Sequence, residues 1–483
     1  MKTNLRSKVI SSLIWKLLER GGVQGVQFII QIILARVLTP SDYGVIAIIM
    51  IFISLANVFV QSGFGVALIQ KERIDDKDLS SVFYLSVVIA GVVYMVLFFL
   101  APLIAEFYKI SELKNILRVL SLTLFFGAFN SIQNSIISKN LEFKKLFISS
   151  LGAVLISGII LIIMVYSNFG IWTLVYQQLI SQLSTCIILY FAVKWRPKLL
   201  FSLERIKKLF SFGSKLLFSS LLDVLYENLR SLVIGKFYSP MMLGYYNRGN
   251  QFPLLIVSNF NGSIQTVIFP ALVAEQSDRV RMKYLVRRAI VTSCFIIFPL
   301  MIGLAIIGEP FVELLLTKKW LSCVPYLRIF CLSYALWPIH TTNLQAINAL
   351  GRSDIFLKLE VIKKIIGVTI LLITLNYGVY AMAIGVLING IIASVINSFP
   401  NKKLLNYGYM EQLKDIFPSA IISLIMGIVI YPISLLNLNL VSIIFFQVLL
   451  GVIVYISISY AIKLECCNYL IEVVLKSKKL KRA

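Results

Sequence analysis

The chain has 483 residues, of which 59% are hydrophobic and only 14% are charged. A soluble protein of this size would carry roughly a quarter charged residues, so the composition excludes an ordinary soluble enzyme or binding protein. The formal net charge of +24 would suggest nucleic acid in a soluble chain. Here the lysines and arginines lie in alternate loops between apolar segments, which explains the charge without nucleic acid.

Apolar runs between helix breakers predict fourteen membrane-spanning helices, each near the roughly 20 residues that a bilayer requires. We place them at 10–37, 42–66, 80–104, 115–138, 145–167, 170–193, 209–236, 241–272, 284–308, 323–350, 355–376, 379–399, 416–434 and 439–462. The sequence therefore predicts an all-α polytopic membrane protein. The first segment contains Lys16, Glu19 and Arg20, and it lacks a small-residue cleavage site, so we expect it to be retained rather than cleaved as a signal peptide.

Basic residues are distributed unevenly among the predicted loops. The loops at 167–170, 376–378 and 436–439 contain none, whereas 279–288 contains five. The positive-inside rule places the basic loops and both termini in the cytoplasm, which requires an even number of spans.

A short motif occurs twice, as RVLTPSDYG at 36–44 and KFYSPMMLG at 236–244. In each copy the hydroxyl residue can cap a helix whose first turn contains the proline, so Thr39-Pro40 and Ser239-Pro240 both predict helix starts. A second echo, NFGIWTL at 168–174 and NYGVYAM at 376–382, has a similar offset. We therefore predict two six-helix bundles as parallel repeats, 1–200 and 201–405, followed by helices 13 and 14 with a basic cytoplasmic tail, 406–483.

Polar residues line one face of the first helix and of its repeat partner, the seventh. In the first helix the spacing puts five residues on one face: Lys16, Arg20, Gln24, Gln27 and Gln31. In the seventh helix it does the same for Lys215, Ser219, Asp223, Glu227 and Arg230. The second and eighth helices add Asn57, Gln61, Arg248, Gln251, Asn261 and Gln265. Charged residues at membrane depth normally face a bundle interior or a hydrated cavity, although a single lysine or arginine can also reach the interface or form a structural ion pair. Together the faces predict a central cavity for an anionic cargo.

The six cysteines form no CxxC pair, and His340 is the only histidine. The sequence therefore predicts no metal, no disulfide framework and no cofactor. His340 itself is better explained as a hydrogen-bonded core histidine than as a proton carrier.

The segment ILARVLTPSDYGVIAI, followed by SGFGVALIQ at 62–70 and the duplicated six-helix blocks, resembles the polysaccharide transporter (Wzx and WzxC-like) flippases of the multidrug/oligosaccharidyl-lipid/polysaccharide exporter superfamily. The resemblance implies a multi-pass protein of the bacterial cytoplasmic (inner) membrane. It implies a flippase, not an enzyme, that moves undecaprenyl-pyrophosphate-linked oligosaccharide across the membrane by alternating access. The transported units would serve the biosynthesis of lipopolysaccharide O-antigen, capsule or exopolysaccharide. It also implies contact with the lipid bilayer and makes the polysaccharide polymerase a candidate partner.

The residues themselves suit such a cargo, because a pyrophosphate needs cationic donors and a glycan needs amides. We expect pyrophosphate contacts from Arg20, Arg230 and Arg248. For the glycan we expect Gln24, Gln27, Gln31, Asn57, Gln61 and Asn261. Asp223 and Glu227 are candidates for coupling to a proton or cation, or for structural pairing with Arg230. These assignments rest on helical periodicity.

Two other functions remain open from the sequence. A cation-coupled multidrug exporter of the same superfamily would show an acidic pocket and twelve helices, whereas the first helix here is net basic. A membrane-embedded glycan polymerase or ligase would need a large external loop for its catalytic residues, and the predicted external gaps are about a dozen residues or fewer.

Overall fold

We describe the protein from a computed structural model, which describes residues 2–61, 63–71 and 74–468. In these ranges the chain is helical and contains no β-strand. The α-helices are α1 (Lys2–Val37), α2 (Pro40–Gln61), α3 (Phe64–Gln70), α4 (Asp76–Tyr108), α5 (Glu112–Leu120), α6 (Thr123–Asn140), α7 (Phe143–Tyr166), α8 (Trp172–Ala192), α9 (Leu203–Phe237), α10 (Pro240–Ala274), α11 (Arg279–Leu316), α12 (Val324–Ala335), α13 (Trp337–Ala349), α14 (Ser353–Thr374), α15 (Val379–Leu404), α16 (Tyr409–Ile430) and α17 (Leu440–Ala461). Three 3-10 helices add Lys318–Cys323, Leu375–Tyr377 and Tyr431–Leu435.

Each of the fourteen predicted segments coincides with one of these helices or with a pair of them, so the all-α membrane fold is confirmed. Ten helical stretches within the described ranges are long and apolar enough to cross a membrane by themselves. Four predicted segments remain. Three of them, α1, α9 and α14, contain several charged residues, and the tenth, 323–350, is divided into α12 and α13. The charged helices are thus the ones that hydropathy alone does not identify.

Three predicted helices are interrupted in the structure. The second ends at Gln61, and α3 begins after Gly63, whose φ of 68° is left-handed. The fourth and the tenth segments, which correspond to each other in the repeat, both break near the middle, into α5 and α6 and into α12 and α13. At the first break the hydroxyls of Ser121 and Thr123 donate to carbonyls of the preceding turn. Predicting continuous helices at 42–66, 115–138 and 323–350 was therefore wrong in detail.

The chain divides into two compact units, Met1–Gly244 and Tyr245–Ala483. In unit 1, α9 packs against α2, α3 and α4, and α1 packs against α7. In unit 2, α16 and α17 pack against α11. The predicted limits at 200 and 405 divide the chain by sequence repeat rather than by packing, and they stay predictions.

Both copies of the repeated motif begin a helix, as predicted. Thr39 and Asp42 form a reciprocal cap at the start of α2, in which Thr39 N donates to Asp42 Oδ2 at 2.8 Å and Asp42 N donates to Thr39 Oγ1 at 3.3 Å. At the start of α10, Ser239 Oγ accepts from Met242 N at 3.2 Å. The hydroxyls satisfy backbone N–H groups that the first helical turn leaves unpaired.

The two motifs also contact each other. A Cβ atom at Gly44 would lie 1.7 Å from the carbonyl oxygen of Pro240, and a Cβ atom at Gly244 would lie 2.0 Å from that of Pro40. All four residues belong to unit 1. The contact is reciprocal, since the glycine of each motif receives the proline carbonyl of the other. Only glycine permits backbones to approach this closely.

Arg118 satisfies a carbonyl that a proline leaves unpaired in unit 1. Its Nε donates to the carbonyl oxygen of Phe98 at 3.2 Å, and its guanidinium lies 3.9 Å from the Phe98 ring centroid. Residue 102, which would normally donate to this carbonyl, is a proline without an N–H. In unit 2, Arg328 Nε also donates to a backbone carbonyl, that of Ala305 at 3.2 Å, in a helix that contains Pro310. Each unit thus has an arginine bound to the backbone of a proline-containing helix.

A group of ion pairs joins α9 to the start of α4. The buried carboxylate of Asp78 binds Lys71 Nζ at 2.5 Å and Arg205 Nη1 at 3.0 Å, and it completes a capping box with Asp75. Burial raises the pKa of Asp75, but hydrogen bonds from Asp78 N–H and from Arg205 outweigh it and bring the pKa from 3.8 to about 2. The stabilisation from Asp75 is therefore lost only as the pH falls from about 4 towards 2.

We expect Asp78→Ala to lower the free energy of unfolding by about 2–3 kcal/mol, because it leaves two cations and a helix start without their acceptor. Breaking a fully buried pair costs more, about 3–5 kcal/mol, but the Lys71 and Arg205 side chains are 38% and 35% exposed and can regain water. Unfolding of the purified protein in a detergent titration measures the change. Lys198→Ala, which removes a surface pair with Asp76, should cost less than about 1 kcal/mol; equal losses in both variants would contradict this account.

Candidate polar sites in the two units

The predicted polar face of α1 overlaps its packing face. Ile30 and Leu34 are buried against α7 residues such as Val154 and Leu161. Gln27 is exposed, and Gln24 and Gln31 are half-buried. Gln27, Ile30, Gln31 and Leu34 follow the spacing of a single helix face, so glutamines and apolar contacts alternate along it, and the assignment of the glutamines stays a prediction.

The basic members of this face differ. Lys16 pairs with Glu19 at 2.7 Å and lies over the Phe143 ring at 5.7 Å. This arrangement corresponds to the structural alternative, a local ion pair. The side chain of Arg20 lies outside the described residues, so its assignment to pyrophosphate stays a prediction.

On α9 the polar face is exposed. Ser219, Asp223 and Glu227 are exposed, whereas Ile234 and Gly235 are buried on the side that packs against α2 and α4. Glu227 and Arg230, both within the described part of the chain, form no ion pair with each other. This weakens the interpretation of Glu227 as a structural partner of Arg230.

Arg230 is half-buried, and its Nη2 atom is buried without a hydrogen-bond acceptor in the structure. A guanidinium carries five N–H donors in a fixed fork that suits carboxylate and phosphate oxygens. An arginine with a buried, unsatisfied donor at the end of an exposed polar helix face can therefore bind an anionic group. The assignment of Arg230 to pyrophosphate stays a prediction.

Arg248, in unit 2, lies in a different environment. Its side chain is only 4% exposed, its Nη1 donates to Gln251 Oε1 at 2.6 Å, and its guanidinium lies 5.0 Å from the Trp320 ring. The structure thus places it beneath an aromatic ring rather than at an open surface. The assignment of Arg248 to anion binding stays a prediction.

The predicted glycan ligands are amides with local contacts. Asn57 Nδ2 donates to the carbonyl of Ile53 at 3.0 Å, and Gln61 is exposed at the end of α2. In unit 2, Asn261 is half-buried, with its Oδ1 buried and unsatisfied. Within the described ranges, no group of three or more His, Cys, Asp or Glu side chains is placed to hold a metal.

Sequence reasoning gave little weight to the buried amides. Asn130, Gln133 and Asn134 on α6, and Asn343, Asn397, Asn401 and Gln412 in unit 2, form two interior clusters. The available signal was the occurrence of Gln133 and Asn343 in the fourth and tenth predicted segments, which correspond to each other in the repeat.

Residues 33–325 match the family model described as "Polysaccharide biosynthesis protein". The chain belongs to this family. It is 25% identical over 441 residues to the lipopolysaccharide biosynthesis protein WzxC of Escherichia coli K12, covering 88% of this chain and 89% of WzxC. It is 26% identical over 355 residues to the teichuronic acid biosynthesis protein TuaB of Bacillus subtilis, covering 73% of each chain.

Solved structures support the fold. The lipid II flippase MurJ in an inward closed conformation superimposes with a TM-score of 0.75 at 21% identity, covering 94% of this chain and 98% of MurJ. An inward-facing multidrug transporter of the MATE family gives a TM-score of 0.61 at 15% identity, covering 79% and 94%. The polysaccharide biosynthesis protein is thus a multi-pass membrane protein with a fold similar to those of MurJ and this MATE transporter.

Proposed function

We propose that this polysaccharide biosynthesis protein is a flippase that moves undecaprenyl-pyrophosphate-linked oligosaccharide repeat units across the bacterial cytoplasmic membrane by alternating access. The observation that carries the proposal is Arg230, whose buried Nη2 lacks an acceptor at the end of an exposed polar face on α9. A pyrophosphate oxygen would satisfy this donor. Glutamine amides on α1 offer the hydrogen bonds that a glycan needs in place of water.

The names of the relatives support the polysaccharide part of the proposal, since WzxC and TuaB are named for lipopolysaccharide and teichuronic acid biosynthesis. In the same proposal the lipid bilayer holds the carrier's hydrocarbon chain, and the polysaccharide polymerase receives the translocated units. The product would be an O-antigen, a capsule or an exopolysaccharide.

Reconstitution tests the proposal directly. Proteoliposomes are loaded with a fluorescent undecaprenyl-pyrophosphate-linked oligosaccharide on both leaflets, and a membrane-impermeant reagent destroys the fluorescence of the outer leaflet. We expect nearly complete loss of fluorescence with the protein and about half in protein-free vesicles. A parallel assay with a cationic dye tests the multidrug exporter. Dye transport together with a protected inner leaflet would overturn the flippase.

We also propose that both termini are cytoplasmic, because the densely basic loops share their side. Single cysteines at Ser167 and Asn376, which are exposed in turns after α7 and α14, should react in intact cells with an impermeant thiol reagent. A cysteine at Leu199, whose side chain is 95% exposed between α8 and α9, should react only after permeabilisation. The unsubstituted protein controls for Cys186. The reverse pattern would invert the topology.

For coupling, we propose that protonating Asp223 and Glu227, or binding a cation to them, changes how much positive charge Arg230 offers the cargo. The two carboxylates lie one helical turn apart on the exposed face of α9. Asp223→Asn with Glu227→Gln should bind the lipid-linked oligosaccharide at least as tightly as the unsubstituted protein but should not respond to an imposed proton or sodium gradient. Gradient-driven transport at the normal rate would remove both residues from the coupling mechanism.

A further inference from the structure

Two buried amides occupy corresponding positions in the repeat, Gln133 on α6 and Asn343 on α13, and both side chains are fully buried. In unit 2, every hydrogen-bonding group of Asn343 is used. Its Oδ1 accepts from Asn401 Nδ2 at 2.7 Å and from Gln412 Nε2 at 3.0 Å. Its Nδ2 donates to Gln412 Oε1 and to the carbonyl of Ile339, both at 2.8 Å.

Gln133, in unit 1, has no such partners. Neither its Oε1 nor its Nε2 has a hydrogen bond in the structure, although the side chain is fully buried. The difference follows from the chain order. Gln412, which completes the cluster in unit 2, comes from α16, one of the two helices that follow the second repeat, whereas the first repeat is followed by α9. A buried amide without partners loses its hydrogen bonds to water and gains nothing in return.

Other unsatisfied oxygens surround Gln133. The Oδ1 atoms of Asn130 and Asn134 are also buried without a hydrogen bond. Asn130 lies three and four positions before Gln133 and Asn134, so its side chain shares a face of α6 with each of them. Asn130 Nδ2 donates to Gln182 Oε1 at 3.3 Å, which brings a fourth amide from α8 into the cluster. We call Asn130, Gln133, Asn134 and Gln182 the unit 1 amide cluster.

The unsatisfied atoms of this cluster, most of them oxygens, favour a cation as the ligand. Among the cluster's buried atoms without a hydrogen bond, three are oxygen acceptors and one, Gln133 Nε2, is a donor. The four side chains are neutral. Divalent cations are usually held by carboxylates, which compensate their charge, whereas neutral carbonyl oxygens can replace the hydration shell of a monovalent cation. Asn134 is only half-buried, which gives the cluster a route to solvent.

We propose that the unit 1 amide cluster is a binding site for a small monovalent cation, Na⁺. The oxygens of Asn130, Gln133 and Asn134 are ligands, and Gln182 holds Asn130 in position. The site does not depend on the proposed cargo. It is separate from Asp223 and Glu227, which lie on α9.

Thermal unfolding of the purified full-length protein tests the site in NaCl, KCl or choline chloride at constant ionic strength. We expect Na⁺ to raise the unfolding midpoint saturably relative to choline. Gln133→Leu should abolish this Na⁺-dependent shift without lowering the midpoint in choline, because it removes two unsatisfied atoms at similar volume. Asn134→Ala, at a half-buried position, should weaken the apparent Na⁺ affinity at least tenfold, and it decides the question if Gln133→Leu does not fold.

Asn343→Leu is the matched control at the corresponding position. It leaves Asn401 and Gln412 without their partner, so the midpoint should fall in all three salts while the Na⁺-dependent shift remains. Equal midpoints in Na⁺ and choline for the unsubstituted protein would overturn the proposal and indicate that the cluster holds only water. A Na⁺ shift that survives both Gln133→Leu and Asn134→Ala would overturn it as well.

Discussion

Gly44→Ala is expected to destabilise the protein and to abolish polysaccharide export. The added methyl group would lie 1.7 Å from the carbonyl oxygen of Pro240, far inside van der Waals contact. The atom it meets belongs to the backbone and cannot rotate away, so the first turns of α2 and α10 must separate. Overpacking typically costs about 1–3 kcal/mol, and a backbone clash belongs at the upper end.

Gly244→Ala should behave in the same way, because its added methyl group would lie 2.0 Å from the carbonyl oxygen of Pro40. Gly91→Ala is the matched control, since nothing lies within 4 Å of an added Cβ at that position of α4. Alanine is the better helix former by about 1 kcal/mol, so this control should be neutral or slightly stabilising. Unfolding in detergent and surface polysaccharide in cells provide the two measurements. Normal values for Gly44→Ala would show that the contact is absent from the functional protein.

The repeated motif shows which structural features can be predicted from local sequence and which cannot. A hydroxyl residue followed by proline predicts a capped helix start from interactions within four residues, and both starts are present at Pro40 and Pro240. The same motif contains a glycine four residues after each proline. Its role depends on a segment 200 residues away, so no local rule could have assigned it. Apolar runs between helix breakers likewise located the fourteen helical segments, because a helix that spans a bilayer needs about 20 mostly apolar residues.

The interruptions at Ser121 and Leu336 were missed for a related reason. The residues around them are apolar, and hydropathy does not register a change of helix direction. Pro338, at the start of α13, was the available signal at one of the two breaks.

The candidate site shows a similar limit. Helical spacing predicts which residues share a face, and the exposed face of α9 agrees with that prediction. Spacing cannot tell what covers a side chain. Lys16 finds Glu19 one turn away, and Arg248 lies against Trp320, which is 72 residues distant in sequence. The first contact is local and can be predicted from spacing, whereas the second is tertiary and is present only in the folded chain.

Arg230→Ala is expected to reduce transport of the lipid-linked oligosaccharide by tenfold or more at a near-normal level in the membrane. A hydrogen bond to a charged group contributes about 1.5–3 kcal/mol, which corresponds to roughly a tenfold to 150-fold change. The folding cost should be small, since the variant removes a buried donor that has no acceptor. Arg230→Lys keeps the charge but loses the planar fork, so we expect an intermediate rate.

Two further variants separate this effect from a general loss of charge or packing. Lys402→Ala removes an exposed cation at the end of α15 and should transport normally. Arg248→Ala removes a 4% exposed side chain bound to Gln251 and stacked on Trp320, so the level of folded protein should fall together with transport. The proteoliposome assay gives the rate, and quantification of folded protein in the membrane gives the level. If Arg230→Ala transported at the normal rate, the anion would have to bind elsewhere, and the argument from its unsatisfied guanidinium would be wrong.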